Sequence, residues 1–240
     1  MLDRGSMCTK HARATTCVRW NDLYSQLTAP LPTGKKAVQA TARARGYVSC
    51  LRLDAVDSGS TALSIVKQGE MMVIANVGDS RAVLATTSDD GKVAAVQLTV
   101  DFKPNLPQEQ ERIRQCKGRV FYLDDEPGVH RVWLPDQEAP GLAMSRAFGD
   151  YCVKDYGVIS TPEVTQRRIT ARDQFVILAT DGVWDVISNQ EAVQIVAATP
   201  NREKAAKHLV QCAVRAWRSK RPCYAVDDCS AICLFFHSPS

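Results

Sequence analysis

The sequence predicts an α+β chain, and three observations carry that prediction. Between residues 61 and 100, short apolar runs alternate with turn chemistry, as antiparallel strands do. Residues 175–180 form a further apolar run of strand length that stops at Asp181-Gly182. Beyond it, Ser188-Asn-Gln-Glu191 spells a capping box, and Leu209, Val210, Ala213, Val214 and Trp217 recur at helical spacing.

Residues 1–57 change character every few positions. Pro30, Pro32 and Gly34 break any helix through their middle, and Trp20, Leu23, Tyr24 and Leu27 allow at most a short amphipathic turn. The segment holds nine Lys/Arg against four Asp/Glu, whereas the remainder holds 21 against 22, so the net charge of +4 resides in this leader. It reads as a divergent, solvated and partly disordered basic segment. A nucleic-acid arm would show aromatic interleaving, which is missing, and an organelle transit peptide is the weaker alternative.

Strands are expected at 61–67, 71–76, 81–85 and 92–100, separated by Gln68-Gly69-Glu70 and Gly78-Asp79-Ser80. Met71 and Met72 read as edge and core residues rather than ligands. Pro107 opens a helix, with Gln108, Glu109 and Glu111 in its early turns and a stop near Lys117-Gly118. Residues 123–140, rich in Asp, Glu, Pro and Gly, read as a loop holding His130 and Trp133. A helix through Val193 and Val196 follows Ser188 and breaks at Pro200-Asn201. Next comes a core-packing helix whose other faces carry Arg202, Lys204, Lys207, Arg215 and Arg218. Residues 230–236 form the closing strand.

At 240 residues and 45% hydrophobic content, the chain can bury one domain-sized core. It has no apolar run long enough to span a membrane and no secretory-signal core at its start. Nine scattered Cys without Cys-x-x-Cys spacing point to free thiols in a reducing, intracellular compartment, cytoplasm or nucleus. Cys8, His11 and Cys17 lack a fourth zinc ligand. His11, His130, His208 and His237 read as surface or structural residues.

The chemistry concentrates at two strand ends. Asp181 follows an apolar run, with Asp185 four residues on; Asp227 and Asp228 open another. Carboxylates at the ends of buried strands share a rim, and hard cations such as Mg²⁺ and Mn²⁺ favour such oxygens. Taken singly, each acid fits a turn residue capping a strand equally well.

Six segments in order resemble the type 2C metal-dependent protein serine/threonine phosphatases, especially plant members. They are Ser58-Gly-Ser-Thr-Ala62, Ala75-Asn-Val-Gly-Asp-Ser-Arg-Ala-Val83, Leu98-Thr-Val-Asp-Phe-Lys-Pro104, Gly141-Leu-Ala-Met-Ser-Arg-Ala-Phe-Gly-Asp150, Leu178-Ala-Thr-Asp-Gly-Val-Trp-Asp185 and Asp227-Asp-Cys-Ser230. The resemblance implies an antiparallel β-sandwich flanked by helices, N-terminally incomplete here. Residues 58–237 are then a truncated phosphatase-like domain. It also implies a two-metal Mg²⁺ or Mn²⁺ centre with Asp181 and Asp227 as ligands, and Asp79 and Asp185 as further metal positions; Asp228 stands where the family usually has Asn and is a candidate for either a ligand or a cap of the last strand. Gly182, Ser145, Arg146 and Asp150 would be structural near the site, and no catalytic side chain is expected beyond the ligands.

The family's Asp-Gly-His-Gly segment, which supplies half the centre, has no counterpart in residues 1–57; neither have its phosphate-holding Arg and its upstream Glu-Asp pair. Asp54 and Asp57 are the nearest acids that could substitute. The implied function is dephosphorylation of phosphoserine and phosphothreonine proteins with impaired activity. The alternative is an inactive pseudophosphatase that binds phosphoproteins or protein kinases. A monomer without nucleic-acid partners is expected.

Overall fold

The computed structural model describes residues 55–221 and 225–236. The expectations for the turn around Trp20, for Cys8, His11 and Cys17, for Asp54 and for His237 fall outside the described residues. In chain order the strands are β1 (Gly59–Ser60), β2 (Ala62–Gln68), β3 (Met71–Val77), β4 (Arg81–Thr87), β5 (Val93–Gln97), β6 (Arg119–Phe121), β7 (Arg131–Trp133), β8 (Pro140–Leu142), β9 (Phe148–Gly149), β10 (Glu163–Arg168), β11 (Asp173–Ala179) and β12 (Ala231–Phe235). The helices are α1 (Pro107–Gln115), α2 (Asp181–Trp184), α3 (Asn189–Ala197) and α4 (Ala205–Lys220), with 3-10 turns at Tyr151–Tyr156 and Arg202–Lys204.

Two antiparallel sheets pack face to face, ordered β10-β3-β2 and β12-β11-β4-β5. Leu63, Met72 and Ile74 of the first meet Ala82, Leu84, Val176 and Leu178 of the second. The alternate residues Val83, Ala85, Phe175, Ile177 and Ala179 point the other way, onto Val193 and Val196 of α3 and Leu209, Ala213 and Trp217 of α4. Strands β4 and β11 are thus buried on both faces, which is why they read as continuous apolar runs rather than alternating ones. Met72 is in the core and Met71 is exposed, as core and edge positions require. Of the apolar stripe on α4, Val210 and Val214 are only half-buried, because the sheet contacts the helix along one line. At the sheet's edge, Ile232 and Leu234 share a face with Leu178 and Val176 yet remain 37% and 38% exposed.

The 123–140 loop expectation needs correction. Part of it is β7, the middle strand of a sheet ordered β6-β7-β8. Trp133 is buried there, stacked on Phe121 at 5.1 Å, and its Nε1 donates to the Phe121 carbonyl at 3.1 Å. Gly141 (φ 71°) lies under the indole, where a Cβ would come within 2.7 Å of the ring. Three-residue strands carry too little periodicity to be read from sequence. Strand β10, Glu-Val-Thr-Gln-Arg-Arg, was missed for a different reason: it is a mostly polar edge strand held by its backbone ladder to β3.

A third cluster of Ile113, Val132, Leu142, Met144, Ala147, Val153 and Val158 ties α1 to this small sheet. Its polar counterpart is Glu109, a buried acid in the first turn of α1. The guanidinium of Arg112 grips it at 2.6 and 2.7 Å, and that of Arg146 at 2.8 and 3.0 Å. Ser145 Oγ lies 2.6 Å from the same carboxylate. Burial alone would raise the Glu109 pKa; the bonds from Arg112, Arg146 and Ser145 outweigh it and hold the carboxyl at about 2.

The capping box at α3 is intact, with Ser188 Oγ accepting from the Glu191 N–H at 3.3 Å and Glu191 Oε2 accepting from the Ser188 N–H at 2.8 Å. Ser188→Ala is expected to lower stability by about 1 kcal/mol in denaturant titration. Because folding depresses the Glu109 pKa, its stabilisation is full above the unfolded value of 4.5 and is lost as pH falls toward about 2. Glu109→Gln should therefore destabilise by about 3 kcal/mol at neutral pH. In a pH series of urea midpoints, its gap to the wild type should close through that acid window.

Candidate functional site

The joint between the end of β11 and the approach to β12 builds the site. Thr180 remains extended (φ −78°, ψ 164°), and the chain then turns into α2 with Asp181 as its first residue. The Thr180 N–H donates to the Ser230 carbonyl at 3.1 Å, and the Ser230 N–H donates to Thr180 Oγ1 at 3.1 Å. Thr180 Oγ1 in turn donates to the Asp228 carbonyl at 3.0 Å. A β-hydroxyl that accepts from one backbone group and donates to another closes a gap the ladder alone would leave. It sets residues 227–230 alongside residues 180–182.

Gly182 sits against this joint. A Cβ there would meet the Asp228 carbonyl oxygen at 2.4 Å. The Gly182 carbonyl accepts from Trp217 Nε1 of α4 at 2.6 Å and from the Cys229 thiol at 3.2 Å. One peptide thus locks α2, α4 and the lead into β12 together. Asp181 is 8% exposed at this joint. Asp227 is half-buried, and its Oδ1 accepts from the Asp228 N–H at 2.8 Å. The Asp228 side chain is exposed, and its backbone carbonyl makes the contacts to Thr180 and Gly182. Asp185 closes α2. Asp185 is exposed at the surface, yet partial desolvation by the neighbouring chain is the first cause raising its pKa; Lys103 and Arg221 oppose the rise, and Asp79 and Asp227 add to it.

Asp79 belongs to the tight turn between β3 and β4 and is 2% exposed. Lys103 Nζ sits on its Oδ2 at 2.6 Å. The segment bearing that lysine is laced to the same turn. Phe102 N–H donates to the Gly78 carbonyl at 3.0 Å, Asn76 Nδ2 to the Val100 carbonyl at 2.9 Å, and Arg81 grips Asp101 at 2.5 to 3.2 Å. Arg81 also donates to Asn189 Oδ1 of α3 at 2.6 Å.

Ser145 N–H donates to the Phe102 carbonyl at 2.8 Å, and the Arg146 guanidinium lies 3.8 Å over the Phe102 ring. Glu109, the acid that anchors both, was missed. Its only sequence signal was a first-turn helix acid, and its partner is 37 residues away. Asp150 does a separate job. It adopts a left-handed conformation (φ 48°), and its N–H donates to the Ser58 carbonyl at 2.8 Å, holding β1 against β9. Asp57, a proposed substitute ligand, lies near the Cys152 thiol. Burial first, then Asp57 and Asp150, push that thiol up to about 11.

The sequence-predicted acids Asp79, Asp185 and Asp227 therefore share one electrostatic neighbourhood, with Asp181 at the joint beside it. Yet among the described residues no three His, Cys, Asp or Glu side chains gather closely enough to hold a metal ion. With Asp79 paired to Lys103, this donor set does not fit a two-metal Mg²⁺ or Mn²⁺ centre. Gly182→Ala should separate α2 from the β12 approach. A loss of about 2 kcal/mol or more in denaturant titration is the expected outcome.

Comparison with known proteins agrees with this architecture. The family model described as Protein phosphatase 2C matches residues 7–220. Probable protein phosphatase 2C 48 of Oryza sativa subsp. japonica is 79% identical over 192 residues, 78% of this chain and 54% of that protein. Probable protein phosphatase 2C 34 of Arabidopsis thaliana is 72% identical over 189 residues, 79% of this chain and 53% of that protein. The chain spans about half the length of these curated relatives. Among solved structures, a serine-threonine phosphatase 2C from Toxoplasma gondii superposes with a TM-score of 0.71 at 27% identity, covering 91% of this chain and 75% of its own. A family match across residues 7–220, on the sandwich just described, places the chain in the protein phosphatase 2C family.

Proposed function

We propose that this chain acts on phosphoserine and phosphothreonine proteins as a phosphatase of impaired turnover. The supporting observation is the joint that sets Asp181 beside the Asp227 approach through Thr180, Gly182 and Ser230. A sheet end held by five backbone-directed contacts is a preorganised place for carboxylates, and preorganisation is what such a site requires. Impairment is our reading of the donor set among the described residues, where no three such side chains gather. Groups that act as a unit lose most of their effect when several are missing.

The second reading, a phosphoprotein- or kinase-binding module without turnover, is favoured by the Lys103–Asp79 pair, which commits one carboxylate to an ammonium. Five thiols among the described residues are free of disulfides, in keeping with an intracellular location.

Phosphopeptide hydrolysis by the full chain in Mn²⁺ is the deciding assay. Turnover reduced by about 10²-fold or more against a full-length relative, and abolished in Asp181→Asn, is expected. A relative-like rate that Asp181→Asn removes would overturn impairment. Phosphopeptide binding with no turnover would select the binding module.

A further inference from the structure

The Lys103–Asp79 contact has the marks of a built pair rather than a surface encounter. Its carboxylate is 2% exposed and its ammonium side chain 36% exposed, so one partner is fixed in the interior and the other reaches it from the rim. A carboxylate taken out of water needs a partner, and removing that partner is costly. The backbone around the lysine is held on both sides: the Lys103 N–H donates to the Asp101 carbonyl at 2.8 Å, and the Leu106 N–H donates to the Lys103 carbonyl at 3.2 Å. Its neighbour Phe102 is fixed by Gly78, Ser145 and the Arg146 guanidinium. Only the four-carbon stem is mobile, and it leads straight to Asp79.

Lys103 also acts on Asp185, where with Arg221 it opposes the charges of Asp79 and Asp227. The acid neighbourhood therefore contains its own cations. With one Asp79 oxygen 2.6 Å from an ammonium, the carboxylate's charge is already matched, and a second cation approaching it meets a like charge within a few ångströms.

We propose that Lys103 is the resident cation of this acid cluster and holds divalent ions away from Asp79. The antagonism is mutual, because two cations beside one carboxylate repel each other.

The test uses the full chain and reads thermal stability against Mn²⁺ concentration, so it does not depend on turnover. Lys103→Met should melt lower in chelator and should gain an Mn²⁺-dependent rise in Tm. Its midpoint should lie about tenfold or more below that of any wild-type response. The double variant Lys103→Met/Asp79→Asn should lose that gain, and Lys103→Arg should behave as wild type. Equal Mn²⁺ responses in wild type and Lys103→Met, or a gain that survives in the double variant, would overturn the proposal. If Lys103→Met fails to fold, Asp79→Asn decides. The proposal stands if its Mn²⁺ response equals that of wild type, and falls if the variant loses a response the wild type shows.

Discussion

The antiparallel ladder of β11 is the constraint on which the rest of the molecule depends. It pairs with β4 on one side and β12 on the other, and both of its faces are buried. Val176 and Leu178 hold the second sheet; Phe175, Ile177 and Ala179 hold the two long helices. A one-residue slip would exchange these two sets, so register, sandwich and helix layer are a single choice. The same strand ends at Thr180, and its direction determines where Asp181 emerges. Packing and chemistry are therefore joined covalently within three residues.

The molecule handles buried negative charge in two ways. Glu109 sits between two guanidiniums and a hydroxyl, a closed network in which every oxygen has a partner. Such a network rigidifies, and here it clamps α1 to the loop that carries Phe102. Asp79, by contrast, is met by one flexible ammonium from the rim. Planar, forked Arg suits the fixed structural joint, and a point-charge Lys suits a place where the partner can leave. The two arrangements touch, because Phe102 and Lys103 are consecutive.

What was legible in the sequence followed from strong local patterns. Buried runs such as Phe175–Ala179, the Ser188 capping box and the α4 stripe each encode their structure within a few residues, and the motif segments identified the sandwich. What was not legible is non-local or brief. Strands of three residues around Trp133 carry no periodicity, and β10 is polar because its job is an edge ladder. Glu109 meets Arg146 only through tertiary folding, and the Lys103–Asp79 pair spans 24 residues. Asp181 and Asp227 were singled out by their strand-end positions, and Asp79 and Asp185 by the resemblance; the cations among them were not, since a lone lysine in a polar stretch gives no signal of its partner.

The joint at Thr180 also sets an order of events during synthesis. Its backbone partners Asp228 and Ser230 lie 48 and 50 residues downstream. Strands β2 and β3, and strands β4 and β5, can pair as soon as they leave the ribosome, since each pair is made of sequential neighbours. At about 5–20 residues per second, β11 then waits several seconds with one side of its ladder open. Throughout that interval a strand destined to be buried on both faces exposes an unpaired edge. The nascent protein is most vulnerable to misassembly in the window between translation of Ala179 and translation of Phe235, and α4 is made within that window. Once made, α4 can dock through Trp217 onto Gly182 and cover a face of the strand. Its edge stays open until β12 pairs with it.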